Sequence, residues 1–141
     1  MEMQVEFCGF EALLIAKMLT STFLAIVFVQ SGLDKVINWS GNLEWLKGHF
    51  AKTPLKNMVP LLLGTLTLLE IAAGALCAGG MIVALMGGSI TYMFWGGVMS
   101  AISVIALFFG QRMAQDYDGA ANLVAYFILT IISLVLFAIP V

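Results

Sequence analysis

Between Ile71 and Gly110 the chain contains no aspartate, glutamate, lysine or arginine. At about 1.5 Å per residue of helix, that stretch is long enough to cross a hydrocarbon layer of roughly 30 Å twice. Soluble domains usually carry about a quarter charged residues, whereas this chain of 141 residues is 10% charged and 62% hydrophobic. Too little polar side chain remains to cover a water-facing surface. The expected fold is an all-α integral membrane protein: a four-transmembrane-helix bundle with a short interfacial amphipathic helix between the first and second spans. The net charge of −2 says little about partners, because a bilayer protein shows only its loops to ions.

The spans are expected over residues 12–33, 58–78, 81–109 and 120–139 of a single membrane domain, 1–141. Pro60 falls in the first turn of the second span, where its missing N–H breaks no helical bond. Gly79-Gly80 reads as a tight turn that returns the third span antiparallel at once. That third span is longer than a bilayer requires, so it tilts or projects. In the connection after the first span, Leu43, Leu46 and Phe50 recur at helical spacing beside Trp45, with Glu44, Lys47 and His49 on the other side. This predicts a helix over 38–50 lying in the headgroup region, with Trp39, Trp45 and Phe50 dipping to headgroup depth and Lys47 facing water. Asp116 or Asp118 is placed to cap the fourth span.

The opening residues carry Glu2, Glu6 and Glu11 and no basic residue. An export signal starts basic, so the whole chain is expected to be the mature protein. Lys35, Lys47, Lys52, Lys56 and Arg112 all fall on the side of the two polar connections. The positive-inside rule places that side in the cytoplasm and both termini outside it. The two cysteines, Cys8 and Cys77, form no C-x-x-C pair, which argues against a self-contained thiol–disulfide enzyme. They fall on the same side of the membrane, which leaves a disulfide geometrically open.

Glu70 stands near the middle of the second span. A carboxylate at that depth costs several kcal/mol unless it is paired, wetted or protonated. Its helical neighbours Thr67, Ala73, Gly74 and Cys77 are small or mildly polar, so Glu70 points into the bundle. It is either half of a structural ion pair or a proton-handling or quinone-contacting carboxylate. Counted from the shared turn, Lys17 lies at a similar depth and is the expected partner; Lys35, nearer the interface, is expected to snorkel.

The third span carries Gly88, Tyr92, Gly96 and Ser100 at every fourth position. Small residues at that interval let helices approach closely, within the chain or against a second copy or another subunit. A flat ligand beside Tyr92 and Trp95 is the alternative, which makes Glu70, Lys17 and Tyr92 the candidate cofactor contacts. The single histidine, His49, cannot supply the two axial ligands of a haem held between helices. The methionines read as core and lipid contacts. Neither a metal set nor a nucleotide-binding loop is present, and no nucleic acid is expected as a partner.

Gln30-Ser31-Gly32-Leu33-Asp34-Lys35 closes the first span, and Leu69-Glu70 and Gly74 follow in the second. Then come Gly79-Gly80, Phe109-Gly110-Gln111-Arg112 and Asp116-Tyr117-Asp118-Gly119. In order and spacing, over nearly the whole chain, these resemble the DoxX-like family of small four-helix bacterial membrane proteins. The resemblance implies a four-helix fold, a bacterial inner-membrane location and an association with quinone-linked redox. The family takes its name from a subunit of a thiosulfate:quinone oxidoreductase. No catalytic motif matches, so no catalytic residue is carried over. The expected function is an accessory or small subunit of a quinone-linked membrane redox complex. It would hold no cofactor of its own beyond a quinone or lipid at the helix bundle. The alternatives are a quinone-binding oxidoreductase subunit in its own right, or a small transporter or proton path through Glu70.

Overall fold

The computed structural model describes residues 6–7 and 10–140. A two-residue antiparallel ladder, β1 (Glu6–Phe7) against β2 (Phe10–Glu11), leads into α1 (Ala12–Ile37). There follow α2 (Trp39–His49), α3 (Val59–Leu85), α4 (Thr91–Met113) and α5 (Tyr117–Ala138). Four of these, all but α2, are long and apolar enough to span a membrane. In hydrocarbon the backbone must satisfy its own hydrogen bonds, which makes helix the default for such runs. Their hydroxyls follow the same rule: Thr20, Thr22, Thr67, Ser100, Ser103 and Ser133 each donate to the carbonyl four residues earlier.

The four long helices alternate in direction. α3 packs along α1 on one side and α4 on the other, α4 carries α5, and α1 meets α5 more loosely. One end of the bundle holds the start of α1, the α3–α4 turn and the end of α5. The opposite end holds α2, the start of α3 and the α4–α5 turn. Side chains on the outer faces are apolar, as lipid contact demands: Leu68 is 71% exposed and Leu19 67%. The chain is thus a multi-pass helical membrane protein whose surroundings are a lipid bilayer.

The Gly79-Gly80 turn is not there. α3 runs straight through both glycines to Leu85, and α4 starts at Thr91 rather than near residue 81. With no water competing for the backbone, two glycines do not break a membrane helix. Gly80 serves packing instead: a Cβ there would lie 2.5 Å from the Met93 amide nitrogen of α4. The chain reverses through Gly87, at φ +80. The Gly88 amide donates to Val83 and the Gly87 amide to Ala84, a Schellman ending. The α4 terminus repeats this pattern, with Asp116 bonding to Gln111 and Gln115 to Arg112. There the left-handed position is filled by Gln115, at φ 59. Asp116 then caps α5, its Oδ1 accepting from the Gly119 amide at 2.9 Å.

The amphipathic helix is present as α2, with Lys47 exposed and Trp45 60% exposed. Phe50 departs from the expectation. It is buried, with its ring against Gly110 of α4, because its apolar surface finds protein before it finds lipid. The first span is also longer than expected, reaching Ile37. The disulfide expectation involves Cys8, which lies outside the described residues; Cys77 is buried.

Candidate functional site

Glu70 is 1% exposed and faces α1. Its Oε2 accepts from Ser31 Oγ at 2.8 Å and pairs with Lys35 Nζ at 2.9 Å. Lys35 Nζ also donates to Ser31 Oγ at 2.9 Å, which closes a triangle of three polar groups. Ser31 and Lys35 are one turn apart on α1, where i and i+4 side chains meet. Glycines bring the two helices close enough for the triangle to form. A Cβ on Gly32 would lie 3.3 Å from the Ile71 amide nitrogen, and one on Gly74 would lie 2.7 Å from that of Val29.

Lys17 is not the partner of Glu70. It is fully buried, but it donates to the Ile139 carbonyl at the end of α5. The fourteen positions from Lys17 to Ser31 correspond to about 20 Å along α1. Depth counted from the shared turn places the end of the second span at residue 78, but α3 runs seven residues further, to Leu85, so Glu70 stands opposite Ser31. Lys35 then turns inward to it instead of snorkelling. Lys17 puts its cation among the free carbonyls of a helix C-terminus, where the helix dipole favours positive charge.

Tyr92 does not join them. It is 52% exposed at the start of α4, at the end of the bundle away from Glu70. The expected Gly88–Tyr92–Gly96–Ser100 docking face does not exist as one surface. Gly96 and Ser100 are buried against α3, and a Cβ on Gly96 would lie 2.8 Å from the Cys77 amide nitrogen. Gly88 belongs to the turn. A four-residue step advances about 400° around a helix, so such a stripe winds by about 40° each time.

The triangle borders a cleft of about 430 Å³ between α2, α3 and α4. Leu62, Leu66, Leu69 and Leu107 are among its apolar walls, while Lys35, Asn42, His49 and Gln111 are polar or charged side chains in its lining. This combination, mostly apolar with a few polar groups, is the usual make-up of a small-molecule site, and the volume is in the usual range. α2 forms one wall and is tied at both ends. Near its start, the side chains of Asn38 and Asn42 donate to the Asp34 carboxylate at 2.7 and 3.4 Å. Near its end, His49 Nε2 lies 2.7 Å from Gln111 Oε1 and 3.7 Å from Asp116 Oδ2. Both neighbours are acceptors, so Nε2 carries a hydrogen. Trp45 stacks on the imidazole, with centroids 4.5 Å apart.

Sequence reasoning singled out Glu70, set Lys35 aside in favour of Lys17, and missed Ser31 beside Glu70 and Gln111 beside His49. The i, i+4 spacing of Ser31 and Lys35 was a usable signal. Nothing local to the sequence joins His49 to Gln111.

Fold and site together define a multi-pass helical membrane protein with an internal ion pair beside an amphipathic cleft. Comparison with protein-family models, curated proteins and solved structures returned no match.

Proposed function

We propose that this chain is a DoxX-like accessory subunit of a quinone-linked redox complex in a bacterial inner membrane, and that the cleft beside Lys35 receives the quinone. The observation that supports this reading is the cleft, with apolar walls and the Lys35 ammonium in one space of about 430 Å³. A quinone has a flat, uncharged head that accepts hydrogen bonds at its carbonyls and carries a long apolar tail. Lys35, which lines the cleft, is the natural donor to such a head, and the leucines of α3 suit the tail. Five of the six basic side chains lie at the α2 end of the chain. The positive-inside rule then puts the cleft on the cytoplasmic side. In this reading the chain positions quinone and packs against catalytic subunits through its apolar outer faces.

A second reading rests on the unbroken hydrogen-bonded path Glu70–Ser31–Lys35, which leads from a buried carboxylate to the edge of the cleft. It makes the chain a quinone-binding oxidoreductase subunit in its own right, with Glu70 exchanging protons. Purification from native membranes in mild detergent, followed by quinone extraction and optical spectra, tests the proposal. The expected result is near-stoichiometric quinone, lost in Lys35→Met, with cofactor colour arriving only with co-purifying subunits. A chain that carries phospholipid but no quinone, and no redox subunit, would overturn it.

A further inference from the structure

The cleft has a cation in its lining, Lys35, yet its charge is already cancelled by Glu70. We infer that the Lys35–Glu70 pair restricts the cleft to amphiphiles with an uncharged, hydrogen-bond-accepting head, and that Glu70 is the residue that keeps anionic amphiphiles out. The inference rests on the reading of the cleft as an amphiphile site and adds the rule by which the site selects.

Lys35 is the one lysine or arginine among the cleft-lining residues; Asn42 and Gln111 are uncharged. The Glu70 carboxylate sits 2.9 Å from the Lys35 ammonium and is almost fully withdrawn from solvent. Water and salt therefore screen it little. An anionic head entering beside Lys35 would lose its hydration and meet the Glu70 charge as well as the lysine. Desolvation without a net countercharge is unfavourable. At the other end of α2, the Asp116 carboxylate lies 3.7 Å from His49 and adds negative charge there. Asp34, bonded to Asn42, adds a further negative charge nearby. Lys47, Lys52 and Lys56 are exposed, and there salt screens them.

The hydrogen bonds point the same way. An ammonium has three N–H donors, and Ser31 and Glu70 occupy two of those of Lys35. One donor is left for the cleft, which suits a single carbonyl oxygen. Asn42 spends its amide hydrogens on Asp34 and the Asn38 carbonyl, so it offers no additional donor to an anion.

The experiment uses the full chain in phosphatidylcholine nanodiscs, with Trp39 and Trp95 replaced by Phe so that Trp45, which lines the cleft, reports alone. Decylubiquinone is the neutral probe, read by saturable quenching of Trp45. Decyl sulfonate, anionic at every working pH, is the competitor. The expected result is quenching that the sulfonate does not reverse in the otherwise native chain, with or without added salt. In Glu70→Gln the sulfonate should displace the quinone at about tenfold lower concentration or less, the scale of removing one like charge from a desolvated contact. Effective displacement by the sulfonate with Glu70 intact would overturn the inference, and this comparison needs no charge variant to fold. An unchanged sulfonate response in a folded Glu70→Gln chain would also overturn it, while leaving the quinone site standing. Absence of saturable quenching by decylubiquinone would remove the cleft reading itself, and the inference with it.

Discussion

Among the described residues, the two ends of this bundle each bury one charged side chain, and they satisfy it by different means. At the end where the chain enters and leaves, Lys17 meets a backbone carbonyl of α5. At the α2 end, Glu70 meets a hydroxyl and an ammonium from α1. A helix terminus always has spare carbonyls, so the first arrangement asks only that α1 and α5 come together, and it acts as a clasp. The second requires side chains of matched depth on two helices. It leaves donor capacity beside a cavity, and so creates a place where a ligand can bind. Buried charge marks a site only where its partner is also a side chain that borders open space.

The largest test of that contrast is to break the ion pair. Glu70→Gln or Lys35→Met alone strands the opposite charge, with an expected loss of about 3–5 kcal/mol. The double variant should recover much of it, because two apolar or neutral groups replace two charges. Thermal unfolding of all three in one detergent measures this. Additive losses with no recovery would mean that the pair is not coupled.

Lys17→Met should cost less, about 1–2 kcal/mol. It strands no charge and leaves only a helix-end carbonyl without a partner. Hydrogen exchange should show the effect confined to the end of α5. A loss as large as that of Glu70→Gln would erase the distinction between clasp and site.

His49→Phe keeps the stacking on Trp45 but removes the bond to Gln111. About 1 kcal/mol of local stability should go, seen as faster proteolysis at Lys47 and Lys52 while the four spans stay protected. Equal protection of α2 in both chains would show that Phe50 and the Asn38 and Asn42 bonds to Asp34 hold it without His49.

The smallest expected effect is a gain. Gln115 occupies left-handed backbone at φ 59, which costs a residue with a Cβ about 1 kcal/mol or somewhat more. Gln115→Gly should therefore raise the unfolding midpoint slightly without touching either charged cluster. A lowered midpoint would mean that the Gln115 side chain contributes more than its backbone strain removes.

Much of the fold was legible because hydropathy acts locally. The charge-free run from Ile71 to Gly110, the Leu43–Leu46 spacing with Trp45 beside it, and the capping aspartate before the fourth span each carry their meaning within a few residues. Gly79-Gly80 misled because glycine has two uses, turn and close approach, and the choice depends on what stands opposite. Here that is Met93 of α4.

Taken by itself, the sequence determined that the chain spans the bilayer with four helices, that α2 lies between the first two of them, and that Glu70 must face inward. Each of these follows from the cost of placing a given residue in hydrocarbon, which needs no knowledge of neighbours. Only the tertiary structure decided that Lys35 and not Lys17 meets Glu70, that Gly96 and Ser100 are spent inside, and that His49 reaches Gln111. Those outcomes depend on how far one helix slides along another. That offset is set by glycine contacts between helices, and a slide of one turn changes every partner.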